Sequence, residues 1–388
     1  MKAWRIADVR AYTIPKDAAR TWLDTTPMAS PMSAHAAYRA DTTSWAITGD
    51  ARLYVEIEAT GGVTGIAVGD GGAAACLYVE RLLNRFLIGR DPRDIALMWD
   101  QMFRAASFDH GGEGIVLRAI SVIDLALWDL LGRLRGEPVY KLIGGAVREA
   151  LPAYHTGARA VDGQVLGFPI AKVTLPHGAG EGPAGFAASL AMLEDNRRAV
   201  GPDYPFAVDC WASLDVTSAV ELARATAHLN LAWIEEPLQP SDIEGMRRLR
   251  AAAPGVVWTT GEHLATRYGF RQLIAERQVD AVQPDLRWCG GLTEALRIAA
   301  LAAAYDVQVM PHHGGVYSYH FALSQMAVPR VEYRNTSARC DTIVPLTGSA
   351  FTGEPLPEAG MIRVGDAPGF GLDLAAGARA RLERPYPA

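Results

Sequence analysis

The feature that most constrains this chain is a change of texture near Leu151. From there to Asn335, short apolar runs alternate with amphipathic stretches of helical length, the pattern of repeated βα units around a parallel sheet. The runs are LPAYHTG (Leu151–Gly157), AKVTL (Ala171–Leu175), FAVDC (Phe206–Cys210), AWIEE (Ala232–Glu236), VWTTGEH (Val257–His263), DAVQPD (Asp280–Asp285), VQVMPHH (Val307–His313) and RVEYRN (Arg330–Asn335). Eight strands at this spacing predict a (β/α)8 barrel. A doubly wound open sheet is the alternative, but no glycine-rich dinucleotide fingerprint follows an early strand.

The first 148 residues read differently. Ala3–Ile14 and Arg52–Ala59 alternate like strands, and Gly61-Gly62 reads as a turn, so a β-meander is expected. Ile115–Leu134 has helical spacing with Asp124 and Asp129 interspersed, and Gly136 and Pro138 stand just past its end as stop signals. The expected organisation is an α+β domain over 1–148 and a barrel over 149–355.

The last or penultimate residues of six consecutive predicted strands are Asp209, Glu235, Glu262, Asp285, His312 and Glu332, at intervals of 26, 27, 23, 27 and 20 residues. Each interval is about one βα unit, which carries all six side chains to the C-terminal mouth, where barrel active sites lie. Clustered carboxylates repel unless a cation or a proton holds them. Asp209, Glu235 and Glu262, on adjacent strands and without clustered cysteine or histidine, make a hard oxygen site suited to Mg2+; caps for neighbouring helices are the other reading. By alternation Glu236 should face the other way. His312 can meet Asp285 across neighbouring strands, and a carboxylate on one ring nitrogen fixes the tautomer and raises basicity, so His312 is a candidate general base. His313 is its competitor, expected to face away from the cavity. His155, His263 and Arg267 are further mouth candidates, each equally readable as structural.

The strings AVDCWASLDV, WIEEP, GEH, QPDLRWCGGLTEALRIAALA and PHHGGVYSYHFAL, in this order and spacing, resemble the mandelate racemase-type branch of the enolase superfamily, most closely its rhamnonate dehydratases. Ser121–Arg148 is similar to the helix closing the N-terminal part in that family, and Pro368–Leu374 with the final RPYPA resembles its C-terminal tail. The resemblance implies a modified (β/α)8 TIM barrel with an α+β capping domain that the tail, from about residue 356, completes. It implies Mg2+ on Asp209, Glu235 and Glu262, a His312–Asp285 dyad, and Glu332 as the acid near the charge developing on the substrate. Racemases of the branch carry a second lysine two residues after the first on the second barrel strand. Here Lys172 is followed by Thr174, which favours β-elimination from an acid sugar to a 2-keto-3-deoxy acid over racemisation or epimerisation of a 2-hydroxy acid. Lys172 is then expected on the substrate carboxylate.

Rhamnonate dehydratases supply basic cap residues to the distal end of the substrate. This chain has Thr21 before WLD, and Thr42 and Thr43 before SWAI, with Arg20, His35 and Arg39 nearby as substitutes. The resemblance implies L-rhamnonate as the substrate, and these departures bring in L-lyxonate or another acid sugar of the same arrangement at carbons 2 and 3 as the alternative. A non-catalytic barrel would not need the complete ionisable set.

The net charge of −6, without a Lys/Arg run, argues against nucleic acid and anionic membranes as partners. Charges at Lys2, Arg5, Asp8 and Arg10 leave no room for a signal peptide's apolar stretch, and no segment has a membrane helix's apolar length. Four dispersed cysteines match neither a zinc spacing nor a disulfide framework. A cytoplasmic homo-oligomer acting on a small molecule is the expectation.

Overall fold

The computed structural model describes residues 4–17, 21–39 and 51–386. The chain opens with an antiparallel meander of β1 (Ile6–Ile14), β2 (Arg52–Ala59) and β3 (Thr64–Gly69). Gly61 and Gly62 make the expected turn, both with positive φ, where a side chain would be strained. Helices α1 (Gly72–Tyr78), α2 (Ile95–His110), α3 (Gly114–Arg135) and α4 (Val139–Leu142) follow. Gly136 ends α3 in the left-handed conformation, as the sequence signals.

Apolar on nearly every side, α3 is buried between the meander and the barrel. Its two aspartates are the reason it sits where it does. Asp124 accepts from Thr293 N (2.9 Å) and Thr293 Oγ1 (2.5 Å) at the start of a barrel helix, so it caps a helix of another layer. Asp129 accepts from Ile66 N and Phe370 N, both at 2.8–2.9 Å, tying the meander and the C-terminal tail to one carboxylate.

The barrel strands are β4 (Leu151–Thr156), β5 (Ala171–Thr174), β6 (Phe206–Asp209), β7 (Ile234–Glu235), β8 (Trp258–Thr260), β9 (Ala281–Val282), β10 (Gln308–Val309) and β11 (Val331–Arg334). They are parallel, in the order β10-β9-β8-β7-β6-β5-β4-β11. No ladder joins β10 to β11 among the described residues; Val309 N instead donates to Ala327 O at 2.9 Å. Helices α5 (Ala160–Val165), α6 (Gly182–Val200), α7 (Val216–Ala225), α8 (Ile243–Ala252), α9 (Thr266–Ala275), α10 (Gly291–Ala304) and α11 (Gly315–Ser324) follow the first seven strands in turn.

All eight predicted strands are present, but no α-helix follows β11 among the described residues. After β11 the chain runs through β12 (Phe351–Thr352), β13 (Met361–Ile362) and β14 (Asp373–Leu374). β13 pairs antiparallel with β4, and Glu383 pairs with Thr13 of β1. The barrel interior is filled by Tyr154, Ala207, Trp233, Ala281 and Met310, a packed plug beneath the mouth. Among the described residues, no helix is long and apolar enough to cross a membrane.

Candidate active site

The strand ends deliver a continuous buried cluster to the C-terminal mouth. Asp209 and Glu235 are the last residues of β6 and β7, directly opposed in the ladder, and Glu262 lies two residues beyond β8. One carboxylate oxygen from each lies within 4.8 Å of the others, and all three residues are buried. Trp211 N holds Asp209 (3.0 Å) and Trp233 Nε1 holds Glu235 (2.8 Å), so both carboxylates are oriented by the backbone or by the plug below.

Lys172, second residue of β5, is fully buried among them. Its ammonium contacts Glu235, Asp209 Oδ2 (3.2 Å) and Glu332 Oε1 (3.1 Å). Three carboxylates therefore face one lysine. Burial, together with Asp209, Glu332 and Glu262, pushes the Glu235 carboxyl up despite Lys172. Burial opposes the Lys172 charge too, but Glu235, Glu332 and Asp209 hold its ammonium well above the ordinary lysine range. Both shifts favour the protonated forms, as expected when negative charges outnumber positive ones in a dry site. The excess of negative charge, the all-oxygen donor set and its spacing fit a divalent hard cation such as Mg2+.

His312, three residues past β10, turns Nδ1 to Asp285 Oδ2 (3.0 Å) and Nε2 to Glu262 Oε2 (3.5 Å). The ring thus lies between its aspartate partner and the carboxylate cluster, in the register read from the sequence. Burial pulls the imidazole down, but Glu262, Asp285 and Glu332 raise it to about 9. Asp285 is anchored from its other side by Arg287, through Nε to Oδ1 (3.1 Å) and Nη2 to Oδ2 (2.6 Å). Although burial pushes the Asp285 carboxyl up, Arg287 and His312 hold it well below the usual carboxylate range. Asp70, just past β3, faces Arg287 Nη1 at 3.5 Å and accepts from Trp288 Nε1 at 3.2 Å. The meander thereby reaches the dyad through one guanidinium. Glu332 accepts from Thr156 Oγ1 (2.6 Å) and His313 N (2.5 Å); burial pushes it up, but Lys172 and His312 bring it down to about 2.

Four expectations are corrected, the first being His313, whose φ of +68° keeps its ring beside His312 instead of facing away. Glu236 does not face away: its φ of +40° breaks strand alternation, and its carboxylate joins Glu262 and His263 at the mouth. His263 Nδ1 lies 2.8 Å from Glu236 Oε1, while Glu236 Oε2 is buried without a partner. His155 does not reach the mouth: Tyr154 and Thr156 point inward, so the ring between them points outward, against Phe168 in the loop after α5. Burial lowers it to about 4. Arg267 is committed elsewhere, with Nη1 on both Glu294 oxygens (2.7 and 2.9 Å).

Of the cap-loop substitutes, Arg39 donates to the carbonyls of Ser33 and Gly180 and His35 is exposed. Thr21 N donates to Asp24. Arg20, Thr42 and Thr43 lie outside the described residues. Arg287 and Arg334 were missed by the sequence reading, since isolated arginines carry no spacing signal; position two after a strand-end acid was the only clue.

Residues 35–144 match the family model described as mandelate racemase / muconate lactonizing enzyme, N-terminal domain, and residues 156–378 match the enolase C-terminal domain-like model. An L-rhamnonate dehydratase of Saccharopolyspora erythraea is 41% identical over 390 residues, spanning 98% of this chain and 99% of that protein. The crystal structure of L-rhamnonate dehydratase from Gibberella zeae superimposes with a TM-score of 0.95 at 45% identity, covering 98% of this chain and 96% of that one. A rhamnonate dehydratase from Gibberella zeae complexed with Mg gives 0.94 at 43% identity, with 98% and 97% covered. The chain belongs to the mandelate racemase / muconate lactonizing enzyme family, with an enolase-like C-terminal domain.

Proposed function

We propose that this protein is a Mg2+-dependent acid-sugar dehydratase, a hydro-lyase that converts an aldonate such as L-rhamnonate to its 2-keto-3-deoxy acid. The observation that carries this reading is a single buried His312–Asp285 pair facing the Asp209–Glu235–Glu262 cluster, while Thr174 occupies the place where a second base would be needed for racemisation. Full-length likeness to L-rhamnonate dehydratases supports it, and the crystal structure with Mg supports the cation.

Asp209, Glu235 and Glu262 would hold Mg2+. When bound, Mg2+ supplies positive charge against the substrate carboxylate as negative charge builds there. Lys172 supports the same end of the substrate. A cation held on Glu262 would offset the first of the carboxylates that raise His312, and the unprotonated ring then takes the proton from carbon 2; Asp285, fixed by Arg287, holds the ring by Nδ1 and stabilises the resulting imidazolium. The electron pair from the C–H bond forms the carbon 2–carbon 3 double bond as the C3–O bond breaks. His312 returns the proton to the departing hydroxide, releasing water, and the enol tautomerises to the ketone. Glu332, buried beside Lys172, faces the same pole.

With acid sugars and Mg2+ in D2O, a 2-keto-3-deoxy product without the inverted 2-epimer is expected; the 2-epimer as main product would restore the racemase. L-lyxonate is the second substrate reading, favoured by the threonine at position 21. The division into 1–148 with 356–388 and 149–355, a homo-oligomeric state, and a cytoplasmic setting are part of the same proposal. The dispersed, buried Cys76, Cys210, Cys289 and Cys340 support a reducing compartment.

A further inference from the structure

Arg334, the last residue of β11, lies on the same face as Glu332, one pleat nearer the mouth. Among the described residues no carboxylate lies within ion-pair distance of its guanidinium. It makes one hydrogen bond, from Nη2 to His313 Nε2 at 2.5 Å, and its Nε is buried without a partner. His313 is turned toward it by a φ of +68°, which is why its ring does not leave the cavity as alternation would predict. The His313 ring meets the His312 ring edge-on, with centroids 5.7 Å apart. Arg334 therefore stands one imidazole away from the proposed base, on the side opposite the metal-ligand strands.

A half-buried guanidinium whose Nε is closed off from solvent without an acceptor is costly unless something else accepts from it. Among the described residues, other cations near the mouth are engaged: Arg287 by Asp285 and Asp70, Lys172 by three carboxylates, Arg267 by Glu294, Arg39 by backbone carbonyls and Arg118 by the face of Trp288. We propose that Arg334 is the specificity-determining contact for the distal half of the substrate, its planar fork donating to hydroxyl oxygens beyond carbon 3, with His313 as its positioning residue. This rests on the dehydratase reading. Carbon 2 must lie at His312 and the carboxylate at the Asp209–Glu235–Glu262 end, so the sugar chain extends toward β11. A fork of parallel donors suits neighbouring hydroxyls as no ammonium would.

The test compares wild type, Arg334→Met and Arg334→Lys on whichever of L-rhamnonate and L-lyxonate wild type turns over faster. The comparison substrate is the four-carbon aldonate with the same configuration at carbons 2 and 3, read by its kcat/KM, or by its Ki as a competitive inhibitor where turnover is too slow. For the long acid, Arg334→Met should lower kcat/KM about 10- to 100-fold, mainly through KM, and Arg334→Lys should recover part of that loss. For the short acid the change should stay below about threefold. Equal losses on both acids mean that Arg334 only supports the fold and overturn the proposal, as does no loss on either. Wild-type enzyme that converts no aldonate overturns the dehydratase reading, and this assignment with it, before any variant is compared.

Discussion

Replacing Asp285 by Asn separates two jobs that this carboxylate performs at once. It is the charged partner of His312 Nδ1 (3.0 Å) and it receives Arg287 through two hydrogen bonds of 2.6 and 3.1 Å. Only 1% of its side chain and 13% of that of Arg287 are exposed. Loss of the charge should lower turnover by about 10²-fold or more, the usual weight of a general acid–base function. It should also strand the arginine. Breaking a buried pair from one side costs about 3–5 kcal/mol; Asp70 at 3.5 Å from Arg287 and the amide oxygen of Asn place the expected loss near about 3 kcal/mol. The double variant Asp285→Asn/Arg287→Met removes the stranded charge and should regain about 2 kcal/mol of that stability without regaining turnover. Urea unfolding with Mg2+ present gives the stabilities, and keto-acid formation gives the rates. If the double variant recovers wild-type turnover, or if Asp285→Asn alone stays within tenfold of wild type, Asp285 does not act on His312 and the proposed dyad is wrong.

Glu235→Gln should abolish both turnover and Mn2+ binding read by electron paramagnetic resonance, with the far-ultraviolet circular dichroism unchanged; full activity after EDTA treatment would remove the metal reading. His155, lowered by burial to about 4 from 6.5, stays neutral in the fold while the unfolded chain takes up a proton. Its contribution is intact above pH 6.5 and shrinks by up to about 3 kcal/mol as pH falls toward 4; His155→Gln should flatten that part of the stability profile, and an unchanged slope would refute it. Asp124, raised by burial to about 7, has the opposite sign: its folded form keeps a proton that the unfolded chain releases near pH 4, so stability falls as pH rises from 4 to 7. Asp124→Asn should match or exceed wild-type stability at pH 8, whereas Asp124→Ala, which leaves Thr293 N unpaired, should lose about 2 kcal/mol; the reverse ranking in urea would contradict the capping role.

The alternation of apolar runs made all eight strands legible, since a parallel barrel buries both faces of each strand. It also made Asp209, Glu235, Glu262, Asp285, His312 and Glu332 legible, because a strand end fixes height in the barrel whatever the loop does. What could not be read was direction. Period-two alternation assigned Glu236 and His313 to the far side, but both backbones enter the left-handed region and turn back. For His155 the phase of β4 was set by Tyr154, a large inward side chain whose orientation only the assembled plug determines. Arg267 was placed correctly along the chain, yet Glu294, 27 residues later, takes its guanidinium. Asp124 and Asp129 read only as acids interspersed in a helical spacing, and their partners on α10, β3 and the tail are tertiary facts. The absent eighth helix was equally hidden, because the segment after β11 has no strong periodicity of either kind.

That missing helix decides when the protein can finish folding. The hydrogen bonds between Thr13 and Glu383 join residues 370 apart, and Phe370 N reaches Asp129 over a span of 241. During synthesis the outer edge of β1 therefore waits, unpaired there, until residue 383 has emerged. The contacts of the meander are therefore completed only after the barrel, whereas N-terminal domains usually finish first. Closing so long a loop is slow, and for that interval the nascent chain presents an open strand edge of the kind that invites pairing between molecules.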